Sequence, residues 1–108
     1  MSYRVRYMPQ VIAAINLQVQ YFLEQQVAPE RISAWLGELY DLADSLEHFP
    51  RRHAIHEEST AAMGTEVRSV VFGNYLIFYR VDDAQRRVDV VHFRHAAQET
   101  NQLADDSK

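Results

Sequence analysis

The spacing of apolar residues changes period twice along this chain, and each change removes a class of folds from consideration. From Tyr3 to Met8 the period is two, with Tyr3, Val5 and Tyr7 on one side and Arg4 and Arg6 on the other. That is the pattern of a strand with one buried face. Pro9 ends it and suits the first turn of a helix. From Gln10 the period is helical: Ile12, Ile15, Val19 and Phe22 form a stripe, and glutamines 18, 20, 25 and 26 mark a polar side. A break near Val27-Ala28 and a second start signal at Pro29-Glu30 lead into the stripe Ile32, Trp35, Leu39, Leu42 and Leu46. Glu38, Asp41, Asp44 and Glu47 fall off that stripe and face water, and Phe49-Pro50 stops the helix. Two helices with so short a link lie antiparallel, as a hairpin.

Residues 50–64 have no period, contain Pro50 and Gly64, and read as a long loop. The period then returns to two in runs at 65–72, 75–81 and 86–94, turned at Gly73-Asn74 and at Asp82-Asp83-Ala84-Gln85. Short polar turns between such runs predict an antiparallel meander. The order is therefore β-α-α-β-β-β, an α+β domain over residues 1–97. Its helical hairpin buries both stripes against one face of an antiparallel sheet and leaves the other face open. Residues 98–108 are polar and read as a flexible tail, or as one that is helical only when bound.

Composition narrows the function classes. A chain of 108 residues, 47% of them apolar, supports one core without staples. The absence of cysteine excludes disulfides and thiolate metal sites and fits a reducing cytoplasm. The N-terminal segment has no apolar run after its charges, so no signal peptide is expected. No stretch approaches the ~20 apolar residues of a membrane-spanning helix. The net charge of −4 argues against nucleic acid as a partner, but it is unevenly spread. Residues 28–50 set Arg31 against Glu30, Glu38, Asp41, Asp44 and Glu47, whereas 1–24 and 65–95 are slightly positive.

Strand parity says what the open face carries. Glu66, Arg68, Val70 and Phe72 share a side, as do Leu76, Phe78 and Arg80, opposite Tyr75, Ile77 and Tyr79. If arginines face solvent, Arg4, Arg6, Arg68 and Arg80 all lie on the open face. The last strand is ambiguous, because Val88 and Val90 share parity with His92 and Arg94, and a bulge would re-aim its end. Two readings of the arginines stand: a solvated face with cross-strand partners such as Glu66 and Asp89, or a groove for a polyanion or an acidic peptide. Trp35, Tyr75 and Tyr79 read as core. His53, His56, Glu57 and Glu58 lie together in the loop, but His-x-x-His followed by acids is not a helical zinc spacing, so no metal is expected. His92 and His95 end the last strand, either as general acids or as sheet-edge histidines bonded to a loop. There is no glycine-rich phosphate loop, recognisable nucleophile or paired-carboxylate signature, so no cofactor is expected.

The element order, with Leu46-Glu47-His48-Phe49-Pro50, Gly64-Thr65-Glu66-Val67-Arg68, Tyr75-Leu76-Ile77-Phe78-Tyr79-Arg80-Val81-Asp82 and Val90-Val91-His92-Phe93-Arg94-His95-Ala96-Ala97, resembles the RelE/ParE superfamily of toxins over residues 3–97. The resemblance implies a bacterial plasmid-stabilisation toxin that arrests growth from the cytoplasm and is held inactive by a cognate antitoxin, which adds a strand or fills the hairpin groove. It implies either of two targets: the ribosome, where members cleave messenger RNA, or DNA gyrase, which others poison. Cleavage needs a base, cations around the phosphate and an acid. By resemblance the candidates are Arg68, Arg80, Arg94 and His95. Leu76 replaces the arginine that usually follows the first aromatic of the third strand, and no tyrosine follows His95. The resemblance thus favours a ParE-like gyrase inhibitor that works by binding. The alternatives are a ribosome-dependent endonuclease and a degenerate, nontoxic antitoxin-binding module. An exposed edge strand also permits pairing into a homodimer.

Overall fold

The computed structural model describes residues 2–97. Strand β1 (Arg4–Tyr7) leads into helices α1 (Pro9–Glu24) and α2 (Pro29–Asp44). A short helix α3 (Glu57–Met63) precedes strands β2 (Arg68–Phe72), β3 (Tyr75–Asp82) and β4 (Arg87–His95). Both long helices start with proline at the first helical position, where a missing N–H costs nothing. The tail at 98–108 lies outside the described residues.

The sheet order is β1-β4-β3-β2. The meander β2-β3-β4 is antiparallel, as the short turns require. Strand β1 joins its edge in parallel, pairing Arg4 with Arg87 and Arg6 with Asp89, so the four-stranded sheet is mixed. The reason is the path of the hairpin. Helix α2 brings the chain back to the end where β1 began, and the Tyr3 amide donates to the Glu47 carbonyl at 2.8 Å. A meander of three strands starting from that end finishes with β4 running in the direction of β1. Gly73, at φ 57°, makes the two-residue β2–β3 turn that only a residue without Cβ adopts freely.

The core lies between the helices and one sheet face: Val11, Ile15, Leu39 and Leu46 pack against Val70, Ile77, Tyr79, Val88, Val90 and Phe93. Trp35 lies among Phe22, Phe72, Tyr75 and Phe93, with ring centroids 5.0 to 6.1 Å away. The acids Glu38, Asp41, Asp44 and Glu47 are exposed, and the Tyr7 hydroxyl donates to Asp44, tying β1 to α2. On α1 the buried residues are Val11 and Ile15, while Ile12 sits at the water's edge, so the helix is rotated from the expected stripe.

The segment expected as loop carries structure. A 3-10 turn spans Pro50–Arg52. Helix α3 is capped at its start by the His56 Nδ1, which accepts from the Ser59 amide, and at its end by Gly64 at φ 71°. The Val67 amide and carbonyl bond the Thr60 hydroxyl, closing α3 onto the entry to β2. Seven residues are too few to display a helical period in sequence, which is why this element was not legible.

Candidate functional site

The face turned away from the helices divides into two parts. One is built on Asp89, a carboxylate only 1% exposed. Arg6 donates to it through Nε at 3.1 Å and Nη2 at 3.4 Å, and Arg87 through Nε at 2.8 Å and Nη2 at 3.3 Å. Arg80 Nε lies 3.5 Å from its other oxygen. Burial opposes ionisation of Asp89, yet the Arg87 hydrogen bonds and the Arg6 and Arg87 charges outweigh it and hold the carboxyl below its ordinary range. Arg87 Nη2 also lies 3.6 Å from Asp82, so three guanidiniums share two carboxylates and leave one positive charge in excess, with Arg4 paired opposite Arg87. The Arg6 and Arg80 side chains remain 50% and 38% exposed, so their outer N–H groups face water.

The other part is apolar and covered. Phe78 and Val67 are buried together with Val91. His56 lies over the Phe78 ring with centroids 4.8 Å apart, His92 meets its edge at 5.7 Å, and the Arg94 guanidinium sits 4.7 Å from its centroid. A bulge makes this arrangement. The register shifts between Phe78 and Tyr79, so that Tyr79 pairs with Val90 and Phe78 with His92. Val88 and Val90 therefore face the helices, while His92 and Arg94 turn to the opposite face. Apolar Leu76 and Phe78 at open-face parity were the sequence signal that something covers this region.

Arg4, Arg6 and Arg80 thus lie on the expected face. Arg68 does not. It pairs with Tyr79 and shares parity with Val70 and Phe72, both turned to the helices, so its side chain goes with theirs. Its Nη1 donates to the Arg51 and His53 carbonyls at 3.1 and 2.7 Å, and its Nη2 to Glu66 at 3.1 Å. Arg68 anchors the 50–54 segment across the end of the sheet. His95 also faces the helix side, against Tyr75, where its Nδ1 accepts from the Ala97 amide at 3.0 Å. The four residues considered for cleavage are therefore divided: Arg80 and Arg94 on one face, Arg68 and His95 on the other. Partners Glu66 and Asp89 are those that parity suggested for the arginines. His53 stands edge-on to Tyr79, and burial together with the Arg52 charge lowers its pKa.

At the far end of the helix side, a groove of about 540 Å³ opens between α1 and the ends of β3 and β4, lined by Leu17, Tyr21, Phe22, Tyr75 and His95 among others. Leu17, Tyr21 and Leu23 of α1 are more than half exposed. No described helix is long and apolar enough to cross a membrane.

Comparison with known proteins agrees with this architecture. Two solved structures share the fold. One is the toxin–antitoxin complex RelBE2 from Mycobacterium tuberculosis, with TM-score 0.57 and 19% identity over 88% of this chain and 92% of that one. The other is the archaeal RelE–RelB complex from Pyrococcus horikoshii OT3, with TM-score 0.53 and 19% identity over 88% and 96%. No curated protein sequence matches the chain significantly. The family model described as the ParE toxin of the type II toxin–antitoxin system parDE matches residues 3–100. With nearly the whole sequence matched, the chain belongs to the ParE toxin family.

Proposed function

We propose that this protein is a cytoplasmic toxin that stops growth by binding DNA gyrase, without cutting RNA itself. The observation that carries this reading is the division of the cleavage candidates between two faces of the sheet. A general base, phosphate cations and a leaving-group acid must converge within hydrogen-bond reach of one phosphodiester. Arg68 and His95 point away from Arg80 and Arg94 and are engaged with backbone groups on the helix side. A binding mode needs a surface only, and the Asp89-anchored arginines with Arg4 supply a rigid cationic one. Purified protein added to a gyrase supercoiling reaction is expected to inhibit it. Unaltered supercoiling at saturating toxin sinks the proposal.

The exposed side of α1 and its groove suit a cognate antitoxin, whose apolar helix would cover Leu17 and Tyr21. The RelBE structures noted above are complexes of this general kind. The product of an adjacent small reading frame is expected to co-purify, and its failure to do so would remove this pairing. A second reading, ribosome-dependent cleavage, is favoured by one observation: His56, His92 and Arg94 gather around Phe78 on the same face as Arg80. It predicts that His92→Ala and Arg94→Ala abolish toxicity while the protein stays folded.

A further inference from the structure

A second cavity lies apart from both the sheet face and the α1 groove, at the end of the domain where β1 begins. It measures about 460 Å³ and is lined by Tyr3, Phe49, Pro50, Arg51, Arg52 and Arg86. It is an open depression on the surface rather than an enclosed pocket. Phe49 is 79% exposed, which is unusual for a large apolar side chain in the middle of a folded domain. Its backbone is left-handed, at φ 49° and ψ 57°, and Pro50 follows directly. Arg86, across the cavity, is left-handed as well, at φ 50°. Arg86 takes this conformation as the last residue of the β3–β4 turn, where its amide donates to the Asp83 carbonyl at 3.2 Å.

The chemistry of the lining is equally particular. Arg86 lays its guanidinium over the Tyr3 ring, 4.5 Å from the centroid, and its Nη2, shielded from solvent, has no hydrogen-bond partner among the described residues. Arg51 forms a two-pronged pair with Asp83, at 3.0 and 2.9 Å, and Asp83 also accepts from the Tyr3 hydroxyl at 2.7 Å. Arg52 is held by the Ser45 and His48 carbonyls and the Ser45 hydroxyl. Three arginines against one carboxylate leave the cavity positive, beside an aromatic face open to solvent.

We propose that this cavity binds a nucleotide, with the base stacked on Phe49 and the phosphate held by Arg86 and the outer edge of Arg51. A carboxylate alone would leave Phe49 unused, and an uncharged ring would leave the arginines unused; a base carrying a phosphate engages both. The ligand is either a free nucleotide or the phosphorylated end of a nucleic acid strand. The site is independent of the gyrase reading, since none of its residues belongs to the Asp89 cluster.

The test is backbone-amide NMR titration of the intact protein with AMP, adenosine, inorganic phosphate and a 5′-phosphorylated trinucleotide. AMP is expected to shift resonances of Tyr3, Phe49 and Arg86, with adenosine and phosphate each binding at least about tenfold more weakly. Stacking on an aromatic ring contributes about 1–3 kcal/mol, so F49A should weaken AMP by roughly 5- to 150-fold. R86Q, which keeps the aliphatic stem, should remove the preference of AMP over adenosine. Tighter binding of the trinucleotide assigns the site to a strand end, and equal binding assigns it to the free nucleotide. No shift at these residues with millimolar AMP overturns the proposal, as does equal binding of AMP by the wild type and both folded variants.

Discussion

Replacing Asp89 with asparagine keeps the shape of the side chain and removes the charge on which three arginines converge. Breaking a buried ion pair by neutralising one partner commonly costs about 3–5 kcal/mol, because the remaining charge is left uncompensated. Here the arginines can recover part of that loss. Arg6 and Arg80 are 50% and 38% exposed and turn toward water readily, whereas Arg87, at 20%, is more confined but keeps Asp82 3.6 Å from its Nη2. The expected cost is therefore about 2–3 kcal/mol, at or just below the lower end of that range. For a domain of this size each kcal/mol lowers the melting temperature by roughly 4–5 °C, so D89N should melt about 8–15 °C below wild type at pH 7. The pH dependence has a fixed sign. Burial raises the Asp89 pKa, but the Arg87 hydrogen bonds and the Arg6 and Arg87 charges bring it below the ordinary value of 3.8. A lowered folded pKa gives stability that is present above the unfolded value and lost as pH falls through the folded one. The gap between wild type and D89N should thus be widest at neutral pH and narrow steadily below about pH 4. Circular-dichroism melts from pH 2 to 7 read both quantities. A gap of less than about 3 °C at pH 7, or one that widens on acidification, refutes the account of Asp89 as the anchor of this face.

Removing the Arg68 side chain with R68A should cost about 1–2 kcal/mol by freeing the Arg51 and His53 carbonyls, and should speed proteolysis within residues 50–56. Toxicity corrected for protein level should persist in R68A; its complete loss at an unchanged melting temperature would make Arg68 a direct functional group. W35A removes the ring shared by Phe22, Phe72, Tyr75 and Phe93 and should destabilise by about 3 kcal/mol in urea titrations, with less than 1 kcal/mol contradicting its place in the core. The Tyr79 hydroxyl donates to the Pro50 carbonyl, and burial, opposed by the Arg68 and Arg52 charges, pushes its pKa up to about 12. A raised pKa gives stability that is full below the ordinary value of 10 and is lost as pH rises through the folded value, so wild type should lose ground to Y79F between pH 10 and 12. Parallel alkaline melts of the two proteins would contradict that assignment.

Both long helices, the three-stranded meander and its turns were legible because each spans enough residues to display its period. What escaped the sequence depended on distant pairing. The parallel seat of β1 follows from where α2 returns the chain, which no local pattern encodes. Arg68 illustrates a conflict between two rules: an arginine suggests solvent, but its parity with Val70 and Phe72 places it under the helices. Parity prevailed, because a strand cannot turn one residue without turning its neighbours. The last strand was ambiguous by parity, because Val88 and Val90 share it with His92 and Arg94, and the bulge named as the alternative is what re-aims its end. The cavity around Phe49 could not be read in sequence at all, because Tyr3, Phe49 and Arg86 come from three separate segments.

The proposed poisoning of gyrase is tested by expressing the chain without its antitoxin in bacteria that carry a DNA-damage reporter. Growth arrest with the reporter switched on is the expected result, since a poisoned gyrase leaves broken DNA. Arrest with the reporter silent would contradict the claim and shift attention to His56, His92 and Arg94 as a ribonuclease site.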